Sequence, residues 1–195
     1  MRVAFFFDRD GTINEEVNYL SSPDQLRLLP RAAEALRIAN SFGVYVFIIS
    51  NQSGVARGLL TEQQVETVNQ ALLEMLKKEG VHVDGIYYCP HHPEYGEPKY
   101  RIPCDCRKPG IGMLNQAASA FPIDMKRSFV IGDKLIDVQT ATNAGATGIL
   151  VKTGYGKNEM NLLSAGDVTT NYIAEDSYDA VQYIKTHYRN ELSLP

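Results

Sequence analysis

Asp8 and Asp10 stand two positions apart at the end of an apolar run, residues 3–7, and are followed by Gly11 and Thr12. Two carboxylates this close repel each other unless something offsets their charge, and an oxygen-loving divalent cation such as Mg2+ is the simplest candidate. Taken alone, the stretch also fits a solvated Asp-Gly turn. Three further segments repeat the pattern of polar groups beside a predicted element. Ser50 and Asn51 follow the apolar run 44–49, Arg107 and Lys108 precede a helix over 111–120, and Asp133 and Lys134 follow a strand over 127–131.

Phosphoryl transfer needs an oxygen nucleophile, a cation bridging it to the phosphate, donors for the equatorial oxygens and an acid for the leaving group. Asp8, at the tip of its strand, is the expected nucleophile. Asp10 is placed to protonate the leaving alkoxide and then to deprotonate water. The Ser50 hydroxyl can donate to the phosphoryl group, Lys108 can neutralise its oxygens, and Asp133 would complete the carboxylate set of the metal. The plainer alternatives are a solvated basic pair at 107–108 and a helix N-cap at Asp133.

A second constellation is Cys89, His91, Cys104 and Cys106, which uses every cysteine in the chain. A Cys3His set of four protein ligands suits a closed, structural Zn2+ site. His92 is the alternative fourth ligand, being adjacent to His91. Such a brace would fix Arg107 and Lys108, which follow Cys106 directly.

The elements that must position these groups are legible as alternating strands and helices. Strands are expected at 3–7, 44–49, 85–88, 127–131 and 147–151, with helices at 31–42, 61–78, 111–120, 134–144 and 177–188. A polar flap over 13–29 is expected to lie across the strand ends, and 89–106 to be an irregular, zinc-braced insertion. Strand–helix alternation implies an α/β fold with a doubly wound parallel sheet and right-handed crossovers, whose ligands bind at the carboxyl ends of the strands.

With 195 residues, 44% hydrophobic and 22% charged, one globular domain spanning 1–195 is expected. The net charge of -4 argues against a nucleic-acid partner. No apolar run is long enough for a membrane span, and an odd number of clustered cysteines argues against a disulfide framework. A cytoplasmic monomer acting on a small molecule is the expectation.

DRDGT at 8–12, Ser50, Lys108 and GDKLID at 132–137 resemble the four ordered motifs of the haloacid dehalogenase (HAD) superfamily of phosphatases. That resemblance implies a HAD-like Rossmannoid fold, Asp8 as the phosphorylated residue and Asp10 as general acid and base. It also implies Mg2+ held by Asp8, Asp133 and the Asp10 main-chain carbonyl, with Asp137 supporting the site. There is no room for a separate cap domain after the first or second strand. Within the superfamily, CPHHP at 89–93, CDCRKPG at 104–110 and SNQSGVARG at 50–58 resemble the zinc-loop group of heptose-bisphosphate and histidinol-phosphate phosphatases. The substrate positions implied are Glu16, Val17, Asn18, Tyr19, Ser50, Asn51, Gln52, Ser53, Arg107 and Lys134. The implied substrate is a sugar bisphosphate.

Overall fold

Every side chain of β1 (Ala4–Asp8) is buried, because a parallel strand lies on each side of it and helices cover both faces. The computed structural model describes residues 1–163 and 168–192. β1 pairs with β2 (Tyr45–Asn51) and with β4 (Phe129–Gly132). β3 (Gly85–Cys89) lies beyond β2, and β5 (Thr147–Val151) and β6 (Tyr172–Ala174) lie beyond β4. The sheet order is thus 3-2-1-4-5-6, parallel throughout. The chain turns in opposite directions from β1 and β4, so a crevice opens at their carboxyl ends.

Side chains alternate between faces along each strand. Phe5 and Phe7 join Ile48, Ile131 and Val151 beneath α1 (Ala32–Ser41), α2 (Glu62–Lys78) and α6 (Ser177–His187). Ala4 and Phe6 join Phe47, Ile49 and Val130 beneath α3 (Gly112–Ala120), with Ala141 of α4 (Leu135–Ala144). Each buried Phe contributes about 1.5–3 kcal/mol relative to exposure. Asp8 continues the Ala4 and Phe6 series, and Arg9 continues the Phe5 and Phe7 series toward α2.

The helices begin where local chemistry allows. Thr61 caps α2 with its hydroxyl accepting from Gln64 N, while the Gln64 side chain accepts from Thr61 N. α4 ends at Gly145, which takes a left-handed φ of 72°. The flap is anchored: Ile13, Leu20 and Leu26 are buried in the core, and Pro23–Gln25 forms a 3-10 turn.

Three features depart from the sequence expectation. The strand expected at 127–131 starts later, because Met125–Arg127 forms a 3-10 turn that Ser128 closes by donating to the Asp124 carbonyl. β6 adds a sixth strand, too short at three residues to show a period. Short helices α5 (Gly156–Met160) and α7 (Arg189–Leu192) were also not foreseen. Among the described residues, no helix is long and apolar enough to cross a membrane.

Candidate active site

Lys108 delivers a charge to the end of β1. Its Nζ lies 2.5 Å from Asp8 Oδ1 and 2.6 Å from Asp137 Oδ1, and donates to the Ile49 carbonyl at 3.2 Å. The Lys108 backbone is clamped by Asn51: Lys108 N donates to Asn51 Oδ1 at 3.0 Å, and Asn51 Nδ2 donates to the Lys108 carbonyl at 3.1 Å. Both amide atoms of Asn51 are therefore engaged in placing the lysine. Asp133 is fully buried at the end of β4, where its Oδ2 accepts from Tyr155 N at 2.8 Å. It is not the cap of α4; Asp137 Oδ2 accepts from Lys134 N instead.

These groups hold more negative than positive charge. Burial pushes the Asp8 carboxyl up to about 6, opposed by the Lys108 charge and reinforced by Asp137. Burial, with the Asp8 and Asp137 charges, pushes Asp133 up to about 8. Burial alone would lower the Lys108 ammonium, but Asp137 and Asp8 outweigh it and hold it above its ordinary value. Carboxylate oxygens of Asp8, Asp133 and Asp137 lie within 4.8 Å of one another. Asp133 Oδ1 is buried and accepts no hydrogen bond from the described residues. An orphaned carboxylate oxygen in an acidic, oxygen-only cluster fits a Mg2+ ion.

The space around Asp133 depends on two glycines. A Cβ on Gly11 would lie 2.3 Å from Asp133 Oδ2, and one on Gly154 would lie 2.2 Å from it. Both glycines also have positive φ, 81° and 54°.

Asp10 points into a neighbouring cleft of about 330 Å³, lined also by Glu16, Asn18, Tyr19, Gln52, Ser53 and Lys134. A smaller recess of about 50 Å³ brings Asp8, Asp10, Ser50, Lys108 and Lys134 together. Asp10 accepts from Gln52 Nε2 at 2.8 Å and from Asn14 Nδ2 at 2.9 Å, and pairs with Arg9 at 2.8 Å. Burial works against its charge, yet the Arg9 guanidinium and these donors hold its carboxyl below the usual range. Gln52 Nε2 also donates to Ser50 Oγ at 2.7 Å. Lys134 Nζ lies 3.6 Å from Glu16, tying the flap to the site.

Two further positions expected to meet substrate, Val17 and Arg107, do not line these two recesses. Val17 packs against the larger core cluster, and the Arg107 side chain donates to the His91 carbonyl at 3.2 Å. Tyr155, not among the expected site residues, lines the cleft and donates to Asn18 Oδ1 at 3.1 Å.

The second cluster forms where β3 ends. Cys89 Sγ lies 3.1 Å from Cys106 Sγ and 3.6 Å from Cys104 Sγ, and Cys106 lies 3.3 Å from Cys104. His91 Nδ1 faces them, 3.3 Å from Cys106 Sγ and 3.7 Å from Cys89 Sγ. Tetrahedral zinc with Zn–S near 2.3 Å calls for sulfurs roughly 3.8 Å apart, so this compact set fits the ion. His92 Nδ1 instead accepts from the backbone of Glu94 and Tyr95.

Residues 105–180 match the sequence profile of the HAD-hydrolase-like family. The D-glycero-D-manno-heptose-1,7-bisphosphate 7-phosphatase of Chlorobaculum tepidum is 43% identical over 184 residues, 91% of this chain and 92% of its own. The chain belongs to the heptose-bisphosphate phosphatase family. It is a phosphatase with the HAD-like α/β fold. The D-glycero-beta-D-manno-heptose-1,7-bisphosphate 7-phosphatase of Escherichia coli K12 is 43% identical over 77% of this chain and 80% of its own. In three dimensions the chain is similar to the D,D-heptose 1,7-bisphosphate phosphatase of B. bronchiseptica, solved with magnesium and phosphate. That similarity has a TM-score of 0.82 and 30% identity, covering 94% of this chain and 98% of the other.

In this heptose-bisphosphate phosphatase family member, the sequence reading overlooked Arg9 and Asn69. Arg9 is fully buried and its NH1 donates to Asn69 Oδ1 on α2 at 2.7 Å. A charged residue flanked by two aspartates reads as solvated. The strand alternation was the signal that could have sent it inward, because position 9 follows 5 and 7 onto the α2 face.

Proposed function

We propose that this protein removes the C7 phosphate of D-glycero-D-manno-heptose 1,7-bisphosphate, leaving heptose 1-phosphate, by way of a phosphoryl group carried on Asp8. The observation that carries the reading is the meeting of Asp8, Lys108 and Asp133 at the ends of β1 and β4. An Asp8 carboxylate oxygen attacks phosphorus, and the bond from phosphorus to the sugar oxygen breaks. Lys108 offsets charge on the transferring group, the Ser50 hydroxyl donates to one of its oxygens, and Asp10 gives the leaving alkoxide its proton. Water then attacks the phosphorus on Asp8, Asp10 takes the proton, and inorganic phosphate departs with Asp8 regenerated.

The depressed Asp10 suits the second half of this cycle, when it must be a base. For the first half, a phosphate dianion arriving beside it raises its proton affinity. Asp8 and Asp133, with the Asp10 main-chain carbonyl, would hold Mg2+, which when bound offsets the repulsion between the carboxylate and the incoming phosphate. Glu16, Asn18, Tyr19, Gln52, Ser53 and Lys134 line the cleft that would receive the sugar. Cys89, His91, Cys104 and Cys106 would hold a structural Zn2+. Reduced thiols of this kind fit a cytoplasmic enzyme, which we read as a single-domain monomer.

The test is a substrate comparison. With Mg2+ present, purified protein should release phosphate from heptose 1,7-bisphosphate with a much higher kcat/KM than from histidinol phosphate, and Asp8→Asn should release none. The opposite preference moves the assignment to a histidinol-phosphate phosphatase.

A further inference from the structure

We propose that Arg9 is the positioning residue for proton transfer, aiming the Asp10 carboxyl at the leaving group from a seat inside the core. The Arg9 guanidinium meets Asp10 in a fork: Nε lies 3.2 Å from Oδ1, and NH2 lies 3.1 Å from Oδ1 and 2.8 Å from Oδ2. Its other arm, NH1, donates to Asn69 Oδ1 at 2.7 Å, and Asn69 is itself buried in the middle of α2. A planar, two-point contact fixes both the distance and the rotation of a carboxylate, which a single donor does not. Asn14 and Gln52 each hold one oxygen as well, so the carboxyl group is constrained from three sides.

A guanidinium with none of its side chain exposed is a costly way to fill a core. Aliphatic residues fill the same layer at positions 48 and 131. Among the described residues, the only carboxylate that Arg9 pairs with is Asp10. The charge therefore serves that carboxyl. α2, which otherwise packs the back of the sheet, takes part in aligning the acid through Asn69.

This inference rests on the reading of Asp10 as the acid, and the two are separable through the leaving group. A sugar alkoxide must be protonated as it departs, whereas p-nitrophenolate departs without help. kcat/KM covers only the steps up to that departure, so later hydrolysis of the phosphorylated enzyme does not enter it. Arg9→Met keeps an unbranched side chain of similar length. Its kcat/KM should fall on the order of 10²-fold with the sugar bisphosphate and by less than about fivefold with p-nitrophenyl phosphate. Arg9→Lys, which keeps the charge but not the fork, should fall between. Asp10→Asn, measured in parallel, should show the same selective loss and set its upper limit.

An equal loss with both substrates, or no loss, in Arg9→Met overturns the positioning role while leaving Asp10 as the acid. A non-selective Asp10→Asn overturns the reading beneath it and this proposal together. If Arg9→Met does not fold by circular dichroism, Asn69→Leu removes the distal anchor instead. The same selectivity at smaller amplitude is expected, and its absence overturns the proposal.

Discussion

Lys108 Nζ and Asp8 Oδ1 lie 2.5 Å apart, although 100 positions separate the two residues in the chain. The contact joins the end of β1 to the segment that leaves the cysteine cluster, and it is almost wholly withdrawn from water. Lys108 is also the cation that Asp137 meets at 2.6 Å. One buried ammonium thus stands among three buried carboxylates, with the half-buried Lys134 adding its charge beside Asp8 and Asp133.

Removing it should expose that imbalance. Lys108→Met leaves Asp8, Asp133 and Asp137 without their buried cation, and loss of one partner from a buried pair costs about 3–5 kcal/mol. The expected outcome is a lower urea midpoint in metal-free buffer, a large part of it restored by millimolar Mg2+, and a loss of turnover on the order of 10²-fold or more. Denaturation with and without Mg2+ checks this; equal midpoints for the variant and the parent in metal-free buffer contradict it.

Asp8→Asn should act in the opposite direction on stability. In the metal-free protein Asp8 is raised from 3.8 to about 6 and Asp133 from 3.8 to about 8. Across that window the folded state retains protons that the unfolded chain has released, so stability falls as pH rises from about 4 to about 8. Asp8→Asn removes one of the crowded charges, which should flatten this slope and raise neutral-pH stability by on the order of 1–3 kcal/mol. Turnover should vanish. A variant less stable than the parent at pH 7 without metal would show that the charge balance runs the other way.

Much of this arrangement was legible in the chain because parallel strands buried on both faces are spelled as unbroken apolar runs. Phe5–Phe7 and Phe47–Ile49 are such runs, and the polar residues ending them fall at one edge of the sheet. Val3 lies outside β1 and Asp8 inside it, a difference of one position at each end. The cysteine cluster was legible from paired spacing, which put His91 ahead of the adjacent His92, and it is His91 Nδ1 that faces the sulfurs. What could not be read were contacts decided by direction. Val17 sits in a polar flap yet packs against the core, and one arm of the Arg107 guanidinium, NH1, donates to the His91 carbonyl. Tyr155 reaches Asp133 through its backbone N–H, a role that side-chain identity does not encode. β6 has three residues, fewer than alternation needs to declare itself.

The cysteine cluster carries its own prediction. Burial raises Cys106 to about 11 and also raises Cys89, so without an ion these thiols are protonated and metal binding must release protons. Cys104→Ala and Cys106→Ala should each lose bound zinc by elemental analysis and lower the thermal midpoint, with turnover falling only as Lys108 loses its support. Full zinc content in either variant would remove that cysteine from the ligand set.

Gly154→Ala tests the site through space alone, since it changes no charge. The added methyl would lie 2.2 Å from Asp133 Oδ2 and 2.6 Å from the Gly11 Cα, at a backbone φ of 54° that favours glycine. Moving Asp133 can relieve the first contact but not the second, which is with backbone, so the turns at Gly11 and Gly154 must also part. The left-handed φ alone costs about 1–2 kcal/mol and the backbone contact adds to it, so a lower thermal midpoint is expected. On the metal, the Mg2+ concentration giving half-maximal activity should rise about tenfold or more, which is roughly 1.4 kcal/mol of binding. Saturating Mg2+ should recover most of kcat if Asp133 serves the ion, whereas a loss of kcat that no Mg2+ concentration repairs would assign Asp133 to some other part of the reaction.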